Sequence, residues 1–327
     1  MDLEKTSEEI YRLMLPHLDT RQAKKLRKVL AHCLFDELSL GEDSDQLSND
    51  ECLAAFINAK RIEGCSERTL SYYASTIEKL IGYSNVSLCE RGTDEIRSFL
   101  SDYQRCSLAS KTTIDNVRRI ISSFYSWLED EDYVVKSPVR KIRKIKAPVV
   151  IKDIINDETM EVLRENCGSV RNLALIDLLR STGMRVGELV SLNRSSVSTT
   201  NMECIVKGKG NKERVVYFDA KTKLHMEQYL SSRTDSNEAL FVSSKAPYDR
   251  LQIGGVEALL RKLGRELDIG RVHPHKFRRT LATKAIDKGM PIEQVQILLG
   301  HTKIDTTLRY ALVDQRNVKA SHRRYLT

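Results

Sequence analysis

Between His273 and Tyr310 the chain gathers side chains able to act on an anion: HPHKFRRTLATKAIDKGMPIEQVQILLGHTKIDTTLRY. His275 and Arg278 stand three apart in a run with helical periodicity, where Phe277, Leu281, Ala285 and Ile286 mark one face. Residues three apart on a helix are neighbours, so the two can point at one spot, and that spot suits an anion. His301 closes the Leu299-Gly300-His301 turn, and Tyr310 follows nine residues later. A tyrosine beside a cluster of His and Arg is a candidate nucleophile with charge stabilisers around it.

More of the constellation lies upstream. In NLALIDLLRSTGMRVGELVSL (172–192) an apolar helix breaks at Thr182-Gly183 and a second starts near Arg185, carrying Glu188 and Leu189. Arg185 therefore projects from a rigid helix–turn–helix junction. In ECIVKGKGNKERVVYF (203–218) two β-rich runs, Cys204–Val206 and Val215–Phe218, flank Gly208-Lys209-Gly210-Asn211. That is the composition of a hairpin tip. The tip offers three lysines, Lys207, Lys209 and Lys212, and its composition favours Lys209 as the one that reaches over a substrate.

Thr-Gly-x-Arg-x-x-Glu-Leu, Gly-Lys-Gly-Asn-Lys-Glu-Arg, Pro-His-x-x-Arg, Leu-Gly-His and the tyrosine nine residues on occur here in one order. In that order they resemble the tyrosine recombinase/integrase family of DNA-cutting enzymes (the phage-integrase and Xer-like site-specific recombinases). The motifs span residues 172 to 312, with a looser resemblance back to about residue 48. The resemblance implies a catalytic set of Arg185, Lys209, His275, Arg278, His301 and Tyr310, with Glu188 as an acidic group behind them. Arg279 departs from the pattern, since many relatives carry His there. Taken singly, His301 reads as a structural histidine, Tyr310 as packing and Gly-Lys-Gly as a turn. Five motifs in family order make chance assembly improbable.

The implied reaction is attack by Tyr310 on a phosphodiester of duplex DNA, giving a 3′-phosphotyrosyl link and freeing the 5′ oxygen. Arg185 and Arg278 suit the phosphate because each offers a planar fork of donors. His275 is expected to accept the tyrosine proton or donate to a phosphate oxygen, Lys209 to protonate the leaving oxygen, and His301 to bond the phosphate. No cofactor or metal is expected, because the motifs contain no carboxylate pair for Mg²⁺ and the arginines supply the positive charge. Expected partners are duplex DNA with inverted-repeat half-sites and a homo-tetramer on paired sites, with the tail 311–327 exchanged between protomers. Two other readings compete: a DNA-binding regulator that kept the fold and lost the chemistry, and a type IB topoisomerase. All six filled positions oppose the first; the compact hairpin motif and the Leu-Gly-His-to-Tyr spacing oppose the second.

The rest of the chain fits a soluble two-domain protein. It has 327 residues, 41% of them apolar and 30% charged, and a net charge of +8. No apolar run is long enough to span a membrane, and the polar, acidic start MDLEKTSEEI does not read as a signal peptide. Seven scattered cysteines without a Cys-x-x-Cys pair point to reduced thiols and a cytoplasmic location. The basic excess fits a polyanion partner. It lies downstream, since residues 1–50 hold 7 Lys/Arg against 11 Asp/Glu.

Four segments follow from the patterning. Residues 1–47 read as an acidic helical extension of two helices, the second capped by Asp19. Residues 48–135 read as a four-helix bundle opened by Ser48, Ser66, Thr93 and Ser110, matching the family's core DNA-binding domain. Arg68, Lys111 and Arg118 are its candidate phosphate contacts, each equally readable as part of a solvated face. Residues 136–152, KSPVRKIRKIKAPVVIK, hold seven basic residues and no acid, and read as an extended linker between domains. Its Arg140, Lys141, Arg143 and Lys144 are expected to neutralise phosphates. Residues 153–327 form the catalytic domain, with a helix capped by Asp157, a short strand at 240–242 and a helix started by Pro291. The expected fold is mainly α with a small antiparallel β-sheet: a helical bundle followed by a mixed α/β domain.

Overall fold

A computed structural model describes residues 3–18, 20–35, 47–148, 153–208 and 213–308. Its contacts divide the chain into two units, Met1–Val150 and Ile151–Thr327.

The first unit is all helical. Helices α1 (Leu3–Met14) and α2 (Thr20–Phe35) pack on each other, with Arg27 over the Tyr11 ring. The expected Asp19 cap lies outside the described residues. Gln22 Nε2 donates to Asp132 Oδ1 at 3.0 Å, tying this extension to the bundle that follows. The bundle comprises α3 (Asn49–Ile62), α4 (Glu67–Ile81), α5 (Thr93–Ser107) and α6 (Lys111–Asp130). Ser48 and Glu51 form a capping box, and Ser66 and Ser110 cap α4 and α6 as their positions predict. Gly92, not Thr93, is the N-cap of α5. Phe56, Ile77, Leu80, Ile96, Phe99, Ile121, Phe124 and Trp127 fill the interior, with Phe56 edge-on to Phe124. Arg91 is buried in the α4–α5 connection and donates to the carbonyls of Val86, Ser84 and Ile81. A cation satisfying the carbonyl end of α4 also suits the helix dipole.

The stretch read as an extended linker is docked over much of its length. Residues Pro138–Lys141 form a 3₁₀ turn, and Ser137 and Val139 are buried. Thr93 Oγ1 donates to Pro138 O at 2.8 Å, and Ile145 N donates to Asp115 Oδ1 at 3.0 Å. Val139 in the bundle core, with Ile142 and Ile145 packed against it, supplies contacts that a free tether lacks.

The second unit mixes helices with one small sheet. Helix α7 (Asp157–Glu165) is capped by Asn156, whose Oδ1 accepts from Thr159 N at 2.7 Å. Asp157 is the first helical residue instead, a position that also suits an acid. Helix α8 (Val170–Thr182) is central: Ala174, Leu175, Ile176, Leu178 and Leu179 are all buried. Its one buried acid, Asp177, accepts from Arg164 Nε at 2.6 Å and lies 2.5 Å from His225 Nδ1. Then come α9 (Val186–Ser191) and an antiparallel sheet of β1 (Val197–Ser198), β2 (Glu203–Lys207) and β3 (Glu213–Tyr217), in that order. Ile205 pairs with Val215 across β2 and β3. The expected strand at 240–242 is present only as isolated bridges, Asn193 to Ala239 and Val242 to Arg250. Its side chains are buried, so the apolar run reflects core packing and not a ladder. Helices α10 (Ala220–Ser231), α11 (Ile253–Glu266), α12 (Pro274–Asp287), α13 (Ile292–Leu299) and α14 (Ile304–Leu308) complete the unit. Pro291 is the N-cap of α13, one residue ahead of its first turn.

Candidate active site

The site is built where the end of α13 meets the α8–α9 junction, β3 and α12. Gly183 closes α8 in the left-handed conformation, φ 59°. An added Cβ there would lie 2.6 Å from the Leu281 side chain, so the turn and its closeness to α12 both require glycine. Two residues on, Arg185 is the N-cap of α9. Its backbone N–H donates to Glu188 Oε2 at 2.7 Å, and its Nη1 donates to Glu188 Oε1 at 2.9 Å. Glu188 is thus folded back under Arg185 by the local geometry of a helix start.

Glu188 is 4% exposed, and a second guanidinium reaches it. Arg214 on β3 donates Nη1 to Oε1 and Nη2 to Oε2, both at 2.7 Å. Burial alone pushes the Glu188 carboxyl up, but the bonds from Arg214 and Arg185 outweigh it and hold the group below its ordinary value.

Three arginines converge on one helix end. Arg214 Nε donates to Leu298 O at 3.1 Å, Arg278 Nη2 to Leu299 O at 2.5 Å, and Arg185 Nη2 to Gly300 O at 3.2 Å. The last carbonyls of a helix have no partner within it and carry its negative dipole end. Three consecutive ones here are satisfied by cations from three other elements. Arg278 also donates Nη1 to Gly183 O at 2.9 Å, binding the α8 turn to the same cluster.

His301 follows Gly300 directly. Its N–H donates to Gln296 O at 3.1 Å, and Nδ1 lies 2.9 Å from Thr307 Oγ1 on α14. Burial, then the charges of Arg278, Arg185, Arg214 and His275, press its pKa down to about 4. The ring is therefore neutral near pH 7, with one nitrogen a donor and the other an acceptor. His275 stands exposed in the first turn of α12. His273, the N-cap of α12, is held below its ordinary value by burial and by the positive neighbours Arg279 and Arg271. Arg279, the departure from the family pattern, donates Nη1 to Asp153 O at 2.8 Å, bracing the start of the unit.

Arg185, Glu188, Arg278 and His301 are thus brought together, and His275 lies one helical turn before Arg278. Lys209 and Tyr310 lie outside the described residues. In the first unit Arg68 and Lys111 are exposed. Arg118 instead pairs with Asp115 at 2.9 Å, with 13% of its side chain exposed, so much of its charge is already engaged. Arg140, Lys141, Arg143 and Lys144 are exposed. Among the described residues no cluster of His, Cys, Asp or Glu suits a metal ion, and no helix is long and apolar enough to cross a membrane.

Two side chains bonded to this cluster had no role in the sequence reading. Thr307 carries no motif. Arg214 does carry a signal: it shares strand parity with buried Val216, and an arginine facing a core demands a buried acid.

With Arg185 keeping 38% of its side chain exposed, the cluster can present a guanidinium fork and a neutral imidazole to one tetrahedral anion. Known proteins share this arrangement of sequence. The model for the phage integrase family matches residues 154–316, and that for the phage integrase N-terminal SAM-like domain matches residues 52–134. The chain is 32% identical over 300 residues to tyrosine recombinase XerC of Leptospira interrogans, covering 85% of this chain and 93% of that one. It is 30% identical over 271 residues to XerC of Staphylococcus saprophyticus, covering 78% and 89%. Among solved structures, XerH recombinase in a post-cleavage complex with palindromic difH substrate aligns with a TM-score of 0.67 at 20% identity, over 97% of this chain and 94% of that one. A lambda integrase dimer bound to a COC′ core site aligns at 0.67 and 19%, over 91% and 88%.

Proposed function

Because this chain belongs to the phage integrase family of tyrosine recombinases, we propose that it cuts and rejoins duplex DNA through a 3′-phosphotyrosyl intermediate, with Tyr310 as nucleophile. It is a tyrosine-type site-specific recombinase. The observation that carries the mechanism is the convergence of Arg185 and Arg278, from elements far apart in sequence, on adjacent carbonyls at Leu299 and Gly300.

A phosphate entering this cluster exchanges with those carbonyl bonds and takes the guanidinium donors. Charge that develops on its non-bridging oxygens then meets preorganised donors. The Tyr310 oxygen forms a bond to phosphorus and the bond to the 5′ oxygen breaks. His275 accepts the tyrosine proton or donates to a phosphate oxygen, and Lys209 gives a proton to the leaving oxygen. The phosphodiester energy is kept in the new link, and the reverse attack by a 5′ hydroxyl rejoins a strand. His301, neutral, donates from one nitrogen while Thr307 engages the other.

The partner is duplex DNA with inverted-repeat half-sites, a reading supported by the palindromic substrate of the XerH complex and the core site of the lambda integrase complex. Arg140, Lys141, Arg143 and Lys144, with Arg68 and Lys111, meet its phosphates, a reading supported by their exposure. Four protomers on two paired sites, linked by exchange of the 311–327 tail, complete the reaction unit. A cytoplasmic location accords with this substrate.

The test is covalent trapping. A duplex site selected from a random pool by binding is nicked so that the cleaved strand loses a short fragment. Wild-type protein should form an SDS-stable adduct, and Tyr310→Phe should bind the duplex but form none. An adduct with the Phe variant would identify a different nucleophile, and retention of binding by both with no adduct from either would support a silent regulator.

A further inference from the structure

We propose that Arg214 is a positioning residue for strand transfer: its fork occupies Glu188 so that Arg185 stays available to phosphate, and its Nε locks β3 to the carbonyl end of α13. The inference rests on the recombinase reading above and gives a role to Arg214, which ends the Gly-Lys-Gly-Asn-Lys-Glu-Arg motif but lies outside the catalytic set of six.

Glu188 is nearly out of water and has two cationic neighbours. Arg214 takes both carboxylate oxygens in a parallel pair of 2.7 Å bonds, whereas Arg185 reaches one side-chain oxygen at 2.9 Å. Paired, planar Arg–carboxylate contacts are the strong ones. With 13% of its side chain exposed against 38% for Arg185, Arg214 is the buried partner and Arg185 the presentable one. Take Arg214 away and the buried carboxylate has Arg185 as its remaining guanidinium. It then draws that fork inward, in competition with a phosphate. A bond to a fixed carbonyl accompanies the pair, since Arg214 Nε holds Leu298 O.

Gly300 shows how closely this side chain is accommodated. Its φ is +64°, and an added Cβ would lie 3.0 to 3.1 Å from Cδ, Nε and Nη1 of Arg214. The turn that delivers His301 is therefore shaped around the Arg214 guanidinium. Arg214 is also the second residue of β3, the strand that follows residues 209–212. One side chain thus joins the strand after Lys209, the acid behind Arg185 and the turn before His301.

The experiment compares wild type, Arg214→Met, Arg214→Lys, Glu188→Gln and the Arg214→Met/Glu188→Gln double variant. For each, the rate of adduct formation on the nicked duplex at saturating DNA, half-site binding and melting temperature are measured. Arg214→Met should form adduct at least about tenfold more slowly while binding a half-site within about threefold of wild type, since an orienting contact acts on the transition state. Arg214→Lys, which keeps charge without the fork, should fall between. The double variant should regain most of the rate lost by Arg214→Met, because the carboxylate that captures Arg185 is gone. Rates are compared at a temperature where every variant is shown to be folded, since a merely structural pair, which would also recover stability in the double variant, leaves the rate of folded Arg214→Met protein unchanged.

Wild-type rates in Arg214→Met, or a double variant whose loss is the product of the two single losses, would overturn the proposal. If Arg214→Met does not fold, Arg214→Lys decides: a folded Lys variant cutting at the wild-type rate overturns the need for the fork. Failure of the parent reading looks different, since wild type itself would then form no adduct on DNA that it binds. The positioning role falls with it, and coupling between the two substitutions in melting temperature would mark the pair as structural only.

Discussion

His301 Nδ1 lies 2.9 Å from Thr307 Oγ1, so the turn that ends α13 is fastened to α14 by a side-chain bond across six residues. Thr307 is fully buried. The bond orients the imidazole and fixes where the chain sets out toward Tyr310. Thr307→Val keeps the shape and removes the hydroxyl. Its cost in stability should be about 1 kcal/mol, that of one net hydrogen bond. Adduct formation should slow by roughly tenfold if orientation of the ring matters to the transition state. Equal adduct rates in stopped time courses would show that His301 needs no such brace.

The depressed pKa of His301 makes stability depend on pH with a definite sign. In the unfolded chain a histidine titrates near 6.5, whereas here it titrates at about 4. Between these values the unfolded state binds the extra proton, so stability is full above about pH 6.5 and is lost as pH falls toward 4. His273 is shifted in the same direction and adds to the slope. His301→Gln stays neutral throughout. Melting temperatures of wild type and variant should therefore converge, or cross, as pH drops through this window. A constant gap from pH 7 to pH 4 would contradict the depressed value.

Asp177 anchors α8 to α7 and α10. It is fully buried and accepts from Arg164 Nε at 2.6 Å and Nη2 at 3.2 Å, beside His225 Nδ1 at 2.5 Å. Asp177→Asn leaves the buried Arg164 cation without this counter-charge, and breaking one side of a buried pair costs roughly 3–5 kcal/mol. Asp219, which bonds Arg180 with 46% of its side chain exposed, is the control. Asp219→Asn keeps an N-cap oxygen and should lose only a screened ion pair, at most about 1 kcal/mol. Urea melts of the two variants check the contrast, and similar midpoints would refute it.

The acid for the leaving oxygen is tested with chemistry that needs none. Lys209→Ala should slow cleavage by roughly two to four decades. A substrate with sulfur at the bridging 5′ position leaves without a proton and should restore much of that rate. It should do nothing for Arg185→Ala, whose defect is in holding the phosphate. Rescue of Lys207→Ala or Lys212→Ala in place of Lys209→Ala would move the acid to that lysine.

Much of this architecture was legible in order along the chain. Ser48-x-x-Glu51, Ser66 and Ser110 announce helix starts because a side-chain oxygen is needed by unpaired N–H groups, a requirement local to three or four residues. The Thr182-Gly183 break and the β2–β3 pairing were readable for the same reason. Where two local solutions compete the sequence is ambiguous: Asn156 and Asp157 can both cap α7, and the choice of Asn156 left Asp157 inside the helix. The apolar run at 240–242 has strand composition, but burial against α10, with Tyr229 stacked on Phe241, required no ladder partner.

By itself, then, the sequence determined which residue types are present, their order, and the helices and strands that carry them, because helix starts, turns and alternation are short-range physics. Tertiary structure decided which charges meet. Arg214 and Glu188 are 26 residues apart, Arg185 and Gly300 are 115 apart, and Arg278 reaches back 95 to Gly183. No local preference encodes these distances. They follow from packing the α12–α13 cluster beside the core that holds β3 and α9, which buries an acid and draws three helix-end carbonyls to the three arginines.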